Sequence, residues 1–138
     1  MALAINSYSQ SKLATRLMEN IEGEVLFDAF SRGRYSTDAS IYQVNPLGVV
    51  VPKTEQDLIA AVEIAVDAGV PVLPRGGGTS QCGQTVNEAV VIDCSSYVNK
   101  VLDFNGEEKK IIVQPGMVLD HLNAFLKPSS TIRSPKMR

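Results

Sequence analysis

Three consecutive glycines, Gly76-Gly77-Gly78, follow the apolar stretch Val70-Pro71-Val72-Leu73 after two residues and constrain this chain more than any other feature. A glycine run costs backbone entropy on folding, so a compact protein needs a reason to keep one. Upstream, Val49-Val50-Val51 form a β-branched run without polar alternation, which predicts a strand covered on both faces. Pro52 ends it, and Thr54 with Asp57 resembles a capping box with Asp in place of the usual Glu or Gln. The helix that follows is expected to bury Leu58, Ile59, Val62, Ala65 and Val66, with Gly69 as its left-handed end residue. Strand, helix and strand at this spacing predict a βαβ unit with a parallel pair and a right-handed crossover. The glycines then leave the end of a strand, where ligands of open α/β sheets usually sit.

Other segments fill in around this unit. Leu13, Leu17, Met18 and Ile21 recur at helical spacing, and a second short helix is expected from Glu24 to Phe30, stopped by Gly33. Ala89-Val90-Val91-Ile92 reads as a third apolar strand. Val101 to Phe104 and Lys110 to Val113 flank Asn105-Gly106, a hairpin signal because both positions favour positive φ. Val118, Leu119, Leu122, Phe125 and Leu126 mark a last helix after Gly116. The fold class is α+β, a βαβ unit plus a mixed sheet with a hairpin. Residues 1–33 form an amino-terminal helical segment, 34–127 the main body and 128–138 an irregular tail.

Composition narrows the functional classes. A net charge of −2 argues against a general nucleic-acid binder, and no apolar run is long enough for a membrane span. Cys82 and Cys94 match no metal spacing, so no metal site is expected, and with no secretory signal the expected location is the reduced cytoplasm.

The chemistry concentrates in Pro74-Arg75-Gly76-Gly77-Gly78-Thr79-Ser80-Gln81-Cys82-Gly83-Gln84-Thr85. Without side chains, successive backbone N–H groups can converge on an anion, and Thr79 and Ser80 add hydroxyl donors. The bland alternative is a flexible surface loop or a hairpin turn. Two familiar nucleotide loops fit poorly. The dinucleotide fingerprint counted from Gly76 meets Gln81 at its sixth place, and the ATPase phosphate loop meets Gln84 where its lysine belongs.

Taken together, Arg34-Tyr35-Ser36-Thr37-Asp38-Ala39-Ser40, Pro46 to Pro52, Pro74 to Ser80, Val91-Ile92-Asp93 and Val113-Gln114-Pro115-Gly116 resemble one family in order and spacing. It is the FAD-linked oxidase family of the vanillyl-alcohol oxidase and p-cresol methylhydroxylase type, and within it the D-lactate dehydrogenase and glycolate oxidase flavin subunit branch. The likeness spans roughly residues 34 to 127.

The resemblance implies the first lobe of a two-lobed FAD-binding domain. FAD is then the cofactor, and its pyrophosphate is held by Arg75, Gly76, Gly77, Gly78, Thr79 and Ser80, helped by Gly83 and Gln84. Pro115 and Gly116 are implied as a further contact zone near the cofactor, and Tyr35 to Ser40 either approach the flavin or form a solvated loop. Family members continue past the position of Lys127 into a second lobe and a substrate domain, whereas here the tail lacks the expected glycines. The chain is therefore expected to be an amino-terminal part without catalytic residues. Its full-length relatives would oxidise a 2-hydroxy acid such as D-lactate or glycolate. The alternative is a non-catalytic lobe that binds anions or self-associates through the surface left by the missing lobe.

Two further residues weigh towards ordinary roles. His121 lies off the apolar stripe of the last helix, and Cys82 fits the loop as a small residue rather than a flavin link. Arg75 either supports the pyrophosphate or caps a strand edge.

Overall fold

The computed structural model describes residues 7–127 of the chain. Helix α1 (Ser7–Asn20) presents Leu13 and Leu17 to the core, while Met18, expected on the same stripe, is 58% exposed. The chain then enters strand β1 (Glu24–Leu26) and helix α2 (Ala29–Arg34). A single helix from Glu24 to Phe30 is thus replaced by a strand and a later helix. Val25 and Leu26 sit opposite Val50 and Val49 in an antiparallel ladder, and this pairing overrides local helix preference. Asp28 starts α2 instead, its carboxylate accepting from the Ser31 amide at 2.9 Å, and Gly33 lies inside α2 rather than past its end.

Strand β2 (Gly48–Val51), helix α3 (Glu55–Asp67) and strand β3 (Val72–Arg75) form the expected strand-helix-strand unit, with one correction. The sheet order is β1-β2-β4-β3, so strand β4 (Val90–Asp93) lies between β2 and β3 and pairs parallel with both. β2 and β3 run in the same direction without being neighbours. All four residues of β2 and of β4 are buried, as a strand covered on both faces requires.

The ends of α3 follow from its sequence. Thr54 Oγ1 accepts from the Asp57 amide at 3.0 Å. The Asp57 carboxylate also accepts from the amides of Lys53 (2.9 Å) and Glu22 (3.0 Å), joining the exit of α1 to the start of α3. At the other end Gly69 has φ +67, with Gly69 N–H bonded to Val66 O and Val70 N–H to Ala65 O. This is the Schellman arrangement. The buried face of α3 is Asp57, Ala61, Ile64 and Ala65, while Ile59 and Val66 are 56% and 64% exposed. The small side chains of Ala61 and Ala65 permit close approach, which rotates the helix away from the expected stripe.

The pleat divides the core. Val50, Val90 and Ile92 pack with Leu13, Leu17, Ala61 and Ile64 on the helical side. Val49, Val51 and Val91 face the other way, against Leu26, Tyr35 and Leu73. Strands β5 (Val101–Asn105) and β6 (Lys110–Val113) form a separate antiparallel hairpin. Its turn is four residues long because Asn105 pairs with Lys110. The positive φ falls on Lys109 (54°), not on Asn105 and Gly106 as expected, and Asn105 Oδ1 instead accepts from the Glu107 and Glu108 amides. Helix α4 (Leu119–Leu126) follows with no buried residue. No helix among the described residues is long and apolar enough to cross a membrane.

Candidate functional site

The glycine loop leaves the carboxyl end of β3, beside the end of β4, where Arg75 pairs in register with Asp93. Here parallel strands release their chains toward a common side, and the segment after α2 folds over them. Ala39 N–H donates to Gly78 O at 3.2 Å, fixing that segment to the loop.

Within the loop the glycines divide into two kinds. Gly78 has φ +66, and a Cβ there would lie 2.5 Å from Arg75 Nη2. Gly83 has φ +77, and its Cβ would strike the Tyr42 ring at 2.6 Å. Both are fixed by conformation and packing. Gly76 and Gly77 are exposed and lack positive φ. A Cβ on Gly76 meets nothing within 4 Å, and one on Gly77 meets only Thr79 Cγ2 at 3.7 Å. Packing gives no reason for either glycine.

The donor groups point the same way. Among the described residues, no intramolecular acceptor receives the main-chain amides of Gly76, Gly77, Gly78, Thr79 or Ser80. Five neighbouring amides without an intramolecular acceptor are free to donate to an anion. A group with phosphate oxygens therefore fits the residues present.

The sequence-derived side chains play less direct roles. Ser80 Oγ donates to Gln84 Oε1 in a short contact and accepts from the amides of Cys82 (3.3 Å) and Gln84 (3.2 Å). Ser80 and Gln84 thus hold the turn 80–84 together. The Arg75 guanidinium donates from Nη1 to Tyr35 O (3.3 Å) and Thr85 O (3.1 Å), and from Nη2 to Thr37 O (2.9 Å). It also lies 5.2 Å from the centre of the Tyr35 ring.

Sequence reasoning left Tyr35 to Ser40 undecided between a solvated loop and a site element; the structure binds this stretch to the glycine loop. The Asp38 carboxylate accepts from the Ser40 amide (2.9 Å), Thr85 Oγ1 (2.9 Å) and the Thr85 amide (3.4 Å). Hydrogen bonds from Ser40 first, and then from Thr85, hold its carboxyl down at about 2. Asp-Ala-Ser is a local turn signal that could have marked Asp38. Buried Asp93 accepts from the Tyr35 hydroxyl (2.7 Å) and from the amide and hydroxyl of Ser95 (2.8 and 2.6 Å). Tyr35 and Asp93 are 58 positions apart, and no local pattern announces that pair.

Pro115 is exposed and Gly116 buried. A Cβ on Gly116 would lie 2.0 Å from Cys94 O and 2.8 Å from Val98 O, so tight docking of the hairpin exit accounts for this glycine. Gly116 reaches the loop only indirectly, since the Cys94 amide donates to Arg75 O at 3.0 Å. Cys94 is buried and Cys82 exposed, and His121 is exposed on α4.

Concavity alone points elsewhere. An open hollow of about 550 Å³ lies along α4 at Asp120, Asn123, Leu126 and Lys127. A cleft of about 240 Å³ lies between the hairpin and α4. Neither is lined by a residue of the glycine loop.

Comparison with known proteins gives the family. A family model described as FAD binding domain matches residues 46–136. D-2-hydroxyglutarate dehydrogenase of Pantoea ananatis is 35% identical over 128 residues, covering 91% of this chain and 12% of that protein. The glycolate oxidase subunit GlcD of Bacillus subtilis is 33% identical over 109 residues, covering 75% of this chain and 23% of its own length. The chain therefore spans about an eighth to a quarter of these relatives. The crystal structure of p-cresol methylhydroxylase shares the fold, with TM-score 0.68 and 15% identity over 88% of this chain and 25% of that one.

Proposed function

The chain belongs to the FAD binding domain family, its cofactor is FAD, and on that premise we propose that the amides of residues 76–80 receive the FAD pyrophosphate. The observation that carries this reading is the pair Gly76 and Gly77. They are exposed, conformationally unconstrained and next to unpaired amides, so their lack of side chains serves close approach by something outside the chain. A charge-assisted hydrogen bond contributes roughly 1.5–3 kcal/mol, so several such amides hold a diphosphate without a lysine. Thr79 adds its hydroxyl, while Ser80, Gly83 and Gln84 shape the turn behind the donors. Gly116 supports the site from behind, through Cys94 and the Arg75 carbonyl, and Pro115 precedes it as a further contact zone near the cofactor.

The whole protein is an FAD-dependent oxidoreductase acting on a 2-hydroxy acid, the reading supported by relatives named for D-2-hydroxyglutarate, glycolate and D-lactate. Bound FAD supplies the redox chemistry, and residues 7–127 contribute cofactor binding. Calorimetry of the 138-residue chain with ADP, the diphosphate half of FAD, tests the assignment. ADP is expected to bind more tightly than adenosine and to be displaced by inorganic pyrophosphate. Equal binding of adenosine and ADP, or binding of neither, would remove the pyrophosphate from this loop.

A second reading, self-association of this chain, is favoured by exposed apolar side chains on the hairpin and α4, among them Leu102, Phe104, Ile112, Leu119 and Phe125. Patches of this kind promote association. Sedimentation equilibrium decides it: a concentration-dependent dimer supports the second copy, and a monomer at all concentrations rejects it.

A further inference from the structure

We propose that Arg75 and Asp38 clamp the segment 35–39 against the glycine loop, which makes Arg75 a positioning residue for the diphosphate site and not one of its ligands. The inference rests on the reading that the amides of residues 76–80 receive a diphosphate.

The Arg75 guanidinium is turned toward the protein. Its three hydrogen bonds end on main-chain carbonyls from two separate stretches, Tyr35 and Thr37 on one side and Thr85 on the other. The Tyr35 ring lies against the same cation, and Gly78 packs so closely that a Cβ would sit 2.5–3.1 Å from Nη2, Cζ and Nε. Asp38 makes the reciprocal connection from the segment to the loop, through the amide and hydroxyl of Thr85. The Ala39–Gly78 main-chain bond closes the same gap. Cation and carboxylate thus bind the two stretches at neighbouring points without contacting each other.

The physical consequence is preorganisation. A loop with three successive glycines would otherwise sample many conformations, and ordering it on binding would reduce affinity. Anchoring residues 78 and 85 to a wall built from residues 35–39 removes much of that freedom beforehand. Arginine suits the task because its planar fork serves several carbonyls at fixed angles, whereas lysine offers a point charge. A lysine therefore separates the two roles: it keeps the charge that a phosphate ligand would need and loses the geometry that a clamp needs.

The experiment uses the 138-residue chain and its Arg75→Lys and Thr85→Val variants. Thr85→Val deletes one hydroxyl donor to Asp38 and leaves the Arg75 bonds in place, so it remains informative if Arg75→Lys does not fold. Amide hydrogen exchange without ligand is expected to speed up by about tenfold or more in both variants at residues 39, 85 and 86, whose amides are hydrogen-bonded across or within the clamped stretches, as loss of a hydrogen bond implies. ADP affinity is expected to fall by a similar factor in Arg75→Lys despite the retained charge. In the unmodified chain, titration with inorganic pyrophosphate should shift the amide signals of residues 76–80 and leave the Arg75 Nε signal in place. Unchanged exchange in both variants would overturn the clamp. A pyrophosphate-dependent Arg75 Nε shift, or full ADP affinity in Arg75→Lys, would make Arg75 a ligand. If neither ADP nor pyrophosphate moves any loop amide, the diphosphate reading fails, while the exchange rates still judge the clamp.

Discussion

Substituting the three glycines of the loop one at a time separates those the fold requires from those a ligand requires. In Gly78→Ala the new residue must hold a left-handed conformation, which costs about 1–2 kcal/mol. Its Cβ also enters the space of Arg75 Nη2, 2.5 Å away, and displaces the guanidinium from its carbonyls. A charge-assisted hydrogen bond is worth about 1.5–3 kcal/mol, reduced here because Arg75 is only half-buried. Together these give a destabilisation of about 2–4 kcal/mol. Gly76→Ala and Gly77→Ala meet open space without positive φ, so both should be neutral or gain up to about 1 kcal/mol by restricting the unfolded chain. Binding should show the opposite order of surprise. A methyl at position 76 or 77 that blocks one amide–phosphate bond weakens ADP by about 10–100-fold without harming the fold. Urea denaturation reads the stabilities and calorimetry reads the affinities. The reasoning is refuted if Gly76→Ala and Gly77→Ala bind ADP like the unmodified chain, or if they destabilise it as much as Gly78→Ala.

Gly116→Ala places a Cβ 2.0 Å from Cys94 O, so thermal denaturation should reveal a loss of about 1–3 kcal/mol or more from backbone displacement. Tyr35→Phe should flatten the alkaline limb of the stability curve. Burial, and then the hydrogen bond to and charge of Asp93, raise the phenol from 10.0 to about 12; the folded chain holds that proton more tightly, so the contribution is complete below pH 10 and vanishes between pH 10 and about 12. Asp57→Ala should cost about 1.5–3 kcal/mol by stranding the Glu22 and Lys53 amides, measurable by urea titration at neutral pH. Burial raises the Asp57 carboxyl, but the amides of Glu22, Lys53, Thr54 and Gly23 together outweigh it and leave it below 3.8. Its stabilisation is therefore present above pH 3.8 and lost as pH falls further, and acid titration of the variant should lack that step.

The sequence made some features legible because their causes are local. The Val49-Val50-Val51 run, the Thr54 cap and the Gly69 end residue each act through near neighbours, and all three stand as expected. The family was legible from motif order along the chain, and the family model's match over residues 46–136 agrees. What failed depends on distant partners. Val25 and Leu26 are strand because β2 offers them an edge, and β4 separates β2 from β3 although it comes later in the chain. The exposed side of α3 is decided by how closely Ala61 and Ala65 let it approach, which periodicity does not encode. In the site, the glycine run was visible but the difference between Gly78 and its two neighbours was not, since it depends on where Arg75 turns. The partners of Arg75 lie up to 40 residues away, beyond any local pattern.

The five free amides of residues 76–80 carry the pyrophosphate assignment. Residue-resolved NMR of the 138-residue chain during titration with ADP, with adenosine as control, measures them one by one. The expected result is saturable shifts greatest at residues 76–80, present with ADP and absent with adenosine. ADP-dependent shifts confined to the hairpin and α4, with the glycine amides unmoved, would contradict it.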